Sequence, residues 1–251
     1  MKLWALLLAS FLSCLPLAAQ DSDDGPSRGP DGGTHYFVDG ISVRPLPGKP
    51  FSGRSTTEWI RTLEDGAVVT THLFAMVARD SQGRIYREGH KFVPANSNEQ
   101  SKLYRFMISD PITHTRTTCY VATHRCEVTG YHAATSFVPR PPGPFDEGKR
   151  VLARESVGND VIDGINVIGS RETLTVNAGV VGNSQPLVST REFWYSLDLQ
   201  VNLSITRKDP REGTQVIRVG ELSRSDPDPV LFQVPANFVV RDNRASAKTE
   251  N

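Results

Sequence analysis

Ser52-Gly53-Arg54-Ser55-Thr56-Thr57-Glu58-Trp59-Ile60-Arg61-Thr62-Leu63, Glu64-Asp65-Gly66, Ala67-Val68-Val69-Thr70-Thr71-His72-Leu73-Phe74-Ala75-Met76-Val77-Ala78-Arg79 sets the architecture of the chain. Both long segments are rich in β-branched and aromatic residues that recur with period two, and an acidic-glycine turn separates them. That is the pattern of two long strands joined in a hairpin. The same grammar continues outward. Asp80-Ser81-Gln82-Gly83 turns the chain into Arg84-Ile85-Tyr86-Arg87-Glu88. Further strands are predicted near 103–109, 115–121, 125–131, 150–157, 165–176, 187–195, 200–207, 214–223 and 231–234. Only 98–104 reads as a short helix. The alternation of helix and strand that builds a nucleotide-binding sheet is absent. Strands this long bury one face only if the sheet curls around its own core or takes another layer, so the expected class is mostly β: a strongly curved antiparallel sheet with little helix.

The composition limits the partners. Of 251 residues, 28 are Lys or Arg and 28 are Asp or Glu, so no basic field exists to hold a phosphate backbone, and nucleic acid is excluded as the main partner. Met1-Lys2 followed by an apolar run from Leu3 to Leu12, with Leu17-Ala18-Ala19 before Gln20, reads as a signal peptide over 1–19. The apolar run is about half the roughly 20 residues of a membrane span, so the chain is expected to be periplasmic or secreted and not membrane-spanning. The alternative is lipid anchoring through Cys14, against which Phe11-Leu12-Ser13 lacks the aliphatic residue usual three positions upstream.

From 20 to 50 the chain is dominated by Gly, Pro, Asp and Ser and reads as a leader or linker, within which Asp39-Gly40 between Tyr36-Phe37-Val38 and Ile41-Ser42-Val43 signals a hairpin. The aspartates at 21, 23 and 24 lack the ligand spacing of a calcium loop. Val138-Pro139-Arg140-Pro141-Pro142-Gly143-Pro144-Phe145 cannot sit in a central strand, because proline removes ladder donors. It reads as an excursion from a single β domain over 51–241, with 242–251 a frayed tail.

Discarding the signal leaves Cys119 and Cys126, equidistant from a turn centred on Ala122-Thr123. A hairpin sets them opposite one another, which suits a cross-strand disulfide. Two reduced thiols, or redox or metal chemistry, are the open alternatives; the pair has no C-x-x-C spacing, and His124 lies in the turn itself.

The sequence offers no catalytic, cofactor-binding or metal site. There is no Gly-x-Ser-x-Gly, no His-Glu-x-x-His, no P-loop and no dinucleotide fingerprint. His35, His72, His90, His114, His124 and His132 share no ligand spacing. Asp226 and Asp228 pair as an acid and a base only in a pocket that separates their pKa values, and Ser225-Asp226-Pro227-Asp228-Pro229 reads as a rigid turn instead.

The second half carries a resemblance. Ile162-Asp163-Gly164-Ile165-x-Val167-x-Gly169-Ser170-Arg171, Gly182-Asn183-Ser184-Gln185-Pro186-Leu187, Arg191-Glu192-Phe193-Trp194-Tyr195-Ser196-x-x-Leu199-Gln200, Asp209-Pro210-Arg211-x-Gly213 and Asp226-Pro227-Asp228-Pro229-x-Leu231-Phe232-Gln233-Val234-Pro235 resemble a family of uncharacterised secreted proteins abundant in acidobacteria. In the first half Arg79-Asp80-Ser81-Gln82-Gly83-Arg84, Tyr86 and Ile108-x-Asp110-Pro111 belong to the same ordered set, and the cysteine hairpin is an addition to it. More remotely, the aromatic strand starting a hairpin and the closing Leu-Phe-x-Val-Pro strand are similar to the lipoprotein-carrier (LolA-like) superfamily. That similarity implies a half-barrel whose concave face holds acyl chains.

Trp59, Phe74, Met76, Phe106, Trp194, Phe232 and Phe238 are the candidate lining of such a face, or else the core of the sheet; Trp59, Trp194 and Phe232 are singled out for either role. The function expected is an exported envelope protein without catalysis, binding a hydrophobic ligand such as a lipid, or an envelope protein partner, on a curved sheet. The alternatives are a structural or adhesive cell-surface β protein and an unrecognised hydrolase.

Overall fold

A computed structural model of the chain describes residues 40–132 and 140–244, and the backbone of 27–28 and 34–35. The signal segment, Cys14, most of the leader and Val138-Pro139 lie outside the described residues. The chain divides into two units, Met1–Tyr36 and Phe37–Asn251. In the first, β1 (Ser27–Arg28) pairs antiparallel with β2 (Thr34–His35).

The second unit is one open, curved sheet of fourteen strands. These are β3 (Phe51–Thr62), β4 (Val68–Arg79), β5 (Ile85–His90), β6 (Val93–Pro94), β7 (Leu103–Asp110), β8 (Thr115–Tyr120), β9 (Arg125–Gly130), β10 (Gly143–Phe145), β11 (Arg150–Ile162), β12 (Ile165–Val176), β13 (Leu187–Ser196), β14 (Val201–Asp209), β15 (Gly213–Ser223) and β16 (Val239–Asp242). Their order is β10-β11-β12-β13-β14-β15-β3-β4-β5-β7-β8-β9-β16, with β6 paired to β4. The first long hairpin forms as its sequence predicts: Phe51 faces Arg79 and Thr62 faces Val68. Gly66 supplies a φ of 82° at the turn, and Asp65 accepts the amide of Ala67 at 2.9 Å.

Two elements differ from expectation. Residues 98–102 are not helical; Lys91 N–H donates to the Lys102 carbonyl at 3.0 Å and Ser101 Oγ donates to Lys91 O at 2.8 Å. A one-turn helix leaves its end groups without partners, whereas this loop closes on itself. Phe232 is not in a closing strand but ends a 3₁₀ turn, Pro229–Phe232, because flanking prolines withhold ladder donors and Asp228 accepts the Val230 amide at 2.9 Å. The chain closes instead through β16, which runs parallel to β9. Among the described residues there is no α-helix, and no helix long and apolar enough to cross a membrane.

Apolar residues form two cores on opposite faces of the sheet. Val77 belongs to the first and Ala78 to the second, and consecutive strand residues point to opposite sides. The first core joins Phe51, Val77, Ile165, Val167, Leu203, Ile205, Ile217 and Val219. It also takes in Ile41, 1% exposed, from the stretch read as leader. The second joins Tyr86, Phe106, Ile108, Cys119, Cys126 and Phe232, with Leu231, Val234 and Phe238 packed against it.

The strap from 41 to 49 is tied down by one side chain. Arg79 is fully buried; its Nε donates to Lys49 O at 2.8 Å, Nη1 to Arg44 O at 2.9 Å and Nη2 to Leu199 O at 2.5 Å, while the guanidinium stacks 5.1 Å from the Phe51 ring centre. Burial lowers its pKa to about 10, so it stays charged at neutral pH. The neighbouring turn is bound as tightly. Asp80 accepts the amides of Gln82 and Arg84 and the Arg84 Nε at 2.6 Å, and Ser81 N–H donates to Asp226. Gly83, at φ 85°, lets the backbone of Leu46 and Pro47 approach to where a Cβ would stand 3.2–3.3 Å away.

Candidate functional site

A groove of about 740 Å³ crosses five neighbouring strands, β4, β3, β15, β14 and β13, and borders the first core, whose Leu203 and Val219 help to line it and against which Trp194 packs. Strand registers place its floor. Thr56 faces Phe74 and Arg218, Arg218 faces Ser204, and Ser204 faces Trp194, so one row of side chains crosses the sheet. The register shifts beside Trp194, and at that bulge Leu203, Ser204 and Ile205 are buried in succession. The tip of the β11–β12 hairpin forms the rim. Its turn residues Asp163 and Gly164 both have positive φ, the requirement of the two-residue turn that an Asp-Gly pair signals. Asp163 Oδ2 accepts the Leu222 amide at 2.6 Å and fastens the tip to β15.

Most of the groove's charges are already committed. Arg54 stacks 4.6 Å from the Phe74 ring centre and lies 3.6 Å from Glu221. Glu192 accepts from Arg171 Nη2 at 2.8 Å and from Trp194 Nε1 at 3.0 Å. The Arg171 hydrogen bonds hold the Glu192 carboxyl below its usual range, against a smaller opposing effect of burial. The Arg218 side chain makes no hydrogen bond or ion pair with the described residues. Trp194 leans on Gly169, where a Cβ would meet the indole ring at 2.8 Å. Glycine there is what lets the ring lie flat.

A second groove, of about 590 Å³, continues past Arg54 and Phe74 to Met76, Glu88 and His90. Glu88 accepts the Met76 amide at 2.8 Å and the Tyr86 hydroxyl at 3.1 Å, and lies 3.0 Å from His90 Nε2. His90 Nδ1 lies 2.9 Å from the Ser101 carbonyl. Burial first, then the Glu88 charge, keeps the Tyr86 phenol protonated far above its usual range. This carboxylate–imidazole pair bridges β4, β5 and the 91–102 loop where the β4–β5 ladder stops. Among the described residues no cluster of three or more His, Cys, Asp or Glu side chains is set to hold a metal ion.

The residues singled out in the sequence separate. Trp194 and Phe74 line the larger groove, and Phe74 and Met76 the smaller. Phe106, Phe232 and Phe238 belong to the second core, with the Arg84 guanidinium 4.8 Å from the Phe232 ring centre. Trp59 lies in neither groove; its Nε1 donates to Glu212 O at 2.8 Å, and Arg61 stacks on it at 4.5 Å. Asp226 and Asp228 both hold turns. Cys119 and Cys126 form a disulfide, face one another across β8 and β9, and are fully buried. Nor is the groove the apolar surface the resemblance implied, since Arg54, Arg218, Glu192, Asp163 and Glu221 stand around its aromatic rings. Sequence reasoning missed Arg54, Glu192 and Arg218. Their signal was strand parity, but only the pairing of β15 with β3 makes them neighbours.

No family model matches the chain, and no curated protein matches it. Similar solved structures include the Pseudomonas aeruginosa MucA/MucB complex, at 13% identity and a TM-score of 0.34, covering 77% of this chain and 58% of that one. A putative outer membrane lipoprotein-sorting protein domain from Vibrio parahaemolyticus has 8% identity and a TM-score of 0.29, covering 73% of this chain and 89% of that one. LolA superfamily protein NE2245 from Nitrosomonas europaea has 9% identity and a TM-score of 0.26, covering 76% and 92%. The superfamily that the sequence resembles is thus among the structural neighbours, and the chain spans well under two thirds of the matched MucB-complex chain. No residue role is carried over from any of them.

Proposed function

We propose that this chain is an exported envelope protein without catalysis that binds an elongated, largely apolar ligand, carrying one anionic group, in the groove across β4, β3, β15, β14 and β13. The observation that carries the reading is the pairing of aromatic residues, Phe74 and Trp194, with Arg218, a guanidinium without an ion pair among the described residues, in an open trough of about 740 Å³. Aromatic rings beside a few placed polar groups are a common make-up of a ligand site. Export after cleavage near residue 19, and a single domain over 51–241, belong to the same proposal; the disulfide supports an oxidising compartment. The MucA/MucB and lipoprotein-sorting neighbours are in keeping with ligand or partner binding in the envelope.

The test is native mass spectrometry of the protein as purified and after delipidation and exposure to oleate. Oleate bound by the wild type and lost in Thr56→Trp, which fills the floor, supports the reading. Retention in that variant, or no uptake by the wild type, overturns it.

A further inference from the structure

We propose that the outer edge of β16 docks an extended segment of another protein, which adds to the sheet as a further strand. Val239 N–H donates to His124 O at 2.8 Å and Asn243 N–H to Val128 O at 2.9 Å, and the register sets Val240 beside Cys126 and Arg241 beside Glu127. In a parallel pair, alternate residues turn both backbone groups toward the same neighbour. Val239 and Arg241 therefore face β9, and Val240 and Asp242 present their N–H and C=O groups outward. Among the described residues no strand pairs with that side.

The opposite edge of the same sheet is closed. There β10 is three residues long, Pro144 in its middle has no N–H, and Arg140 stacks 4.3 Å from the Phe145 ring centre. Short strands and edge prolines are how sheets block unwanted pairing. Strand β16, four residues long, has no proline to withhold a donor, and its valines lie open, Val239 at 70% and Val240 at 51% exposure.

Side chains define the occupant. Asp242 is engaged by Arg244 through Nε at 2.9 Å and Nη2 at 2.5 Å, so its charge is neutralised within the chain. The Arg241 side chain makes no hydrogen bond or ion pair with the described residues and is exposed. Neighbouring strand residues point to opposite faces. The fitting segment is therefore extended, with an apolar β-branched residue beside Val240 and an adjacent carboxylate on the other face to meet Arg241.

The experiment uses the full chain and a fluorescein-labelled eight-residue peptide of alternating valine and threonine with one central glutamate, read by fluorescence anisotropy and amide hydrogen exchange. Binding is expected to slow exchange of the Val240 and Asp242 amides at least tenfold. Val240→Pro deletes an outward donor while leaving the inward bonds of Val239 and Arg241, and should weaken binding at least tenfold with exchange in the β8–β9 hairpin unchanged. Arg241→Glu should shift preference to the same peptide with lysine in place of glutamate. Thr56→Trp, in the groove, should leave peptide binding intact. Equal binding by wild type and Val240→Pro, unchanged Val240 and Asp242 exchange, or no binding by the wild type overturns the proposal. So does a wild-type dimer in sedimentation that Val240→Pro dissociates, since a second copy would then be the occupant.

Discussion

The guanidinium of Arg79 donates to the carbonyl of Leu199 at 2.5 Å, across 120 residues of sequence, from a fully buried position. Leu199 lies in the turn between β13 and β14, and the other two carbonyls on this side chain belong to the 41–49 strap. One charged residue in the first hairpin thus ties the strap and the second half of the sheet together. Five donors in a planar fork suit three carbonyls better than an ammonium could.

Arg79→Met should accordingly be among the most destabilising single changes, because it leaves the buried Leu199 carbonyl without its donor, at roughly 1–3 kcal/mol, and releases both ties to the strap. Arg79→Lys should recover part of the loss by keeping the charge and some of the bonds. Urea denaturation followed by tryptophan fluorescence measures both. Equal stability of Arg79→Met and wild type would mean the strap is held by Ile41 and its apolar contacts alone.

Phe232→Ala should cost roughly 3–5 kcal/mol, the range for removing a buried phenylalanine. The ring fills the second core and lies under Arg84, so the loss belongs to stability and not to groove binding. Thermal melting together with oleate uptake below the melting temperature separates the two.

Gly169→Val should act in the reverse order. The added carbons collide with the Trp194 indole and with Val157, and overpacking of this kind costs roughly 1–3 kcal/mol. Displacement of Trp194 also breaks its bond to Glu192, so its fluorescence maximum should move to longer wavelength and oleate uptake should fall. An unchanged spectrum would place the flexibility elsewhere in the groove.

Reducing the Cys119–Cys126 bridge opens a ring of about eight residues, worth about 2.5 kcal/mol on chain-entropy grounds. The Cys119→Ala/Cys126→Ala double variant should lose about that much. Faster amide exchange should be confined to β8, β9 and β16. A global collapse of the sheet would show that the hairpin nucleates more than its own neighbourhood.

Strong acid should loosen β16. Two bonds lower the Asp242 carboxyl to about 2 from its ordinary 3.8: first the Arg244 side chain, then the Arg244 backbone amide. A carboxyl with a depressed folded pKa contributes stability that is complete above its unfolded value and disappears as pH falls through the folded one. The Asp242–Arg244 contact should therefore be intact above about pH 4 and lost toward pH 2. Exchange at 239–243, followed through that window and compared with Asp242→Asn, measures it; a profile identical in the variant would rule the contact out.

Local chemistry made the hairpins legible in the sequence. The β3–β4 register and the facing of Cys119 and Cys126 each depend on side-chain period and turn residues a few positions apart. Phe232 shows where that reading fails. An apolar run looks like a strand until the prolines at 227, 229 and 235 are seen to withhold the donors a ladder needs, and the segment covers the second core instead. The sequence alone thus determined a β protein built of long antiparallel hairpins with a cross-strand cysteine pair. Only the tertiary structure decided that β15 lies beside β3, that Arg218 and Trp194 share a groove with Phe74 while Trp59 does not, and that β16 ends the sheet with an open edge. Those pairings join residues more than a hundred positions apart through backbone groups that every residue carries, so no side-chain pattern records which strands will meet.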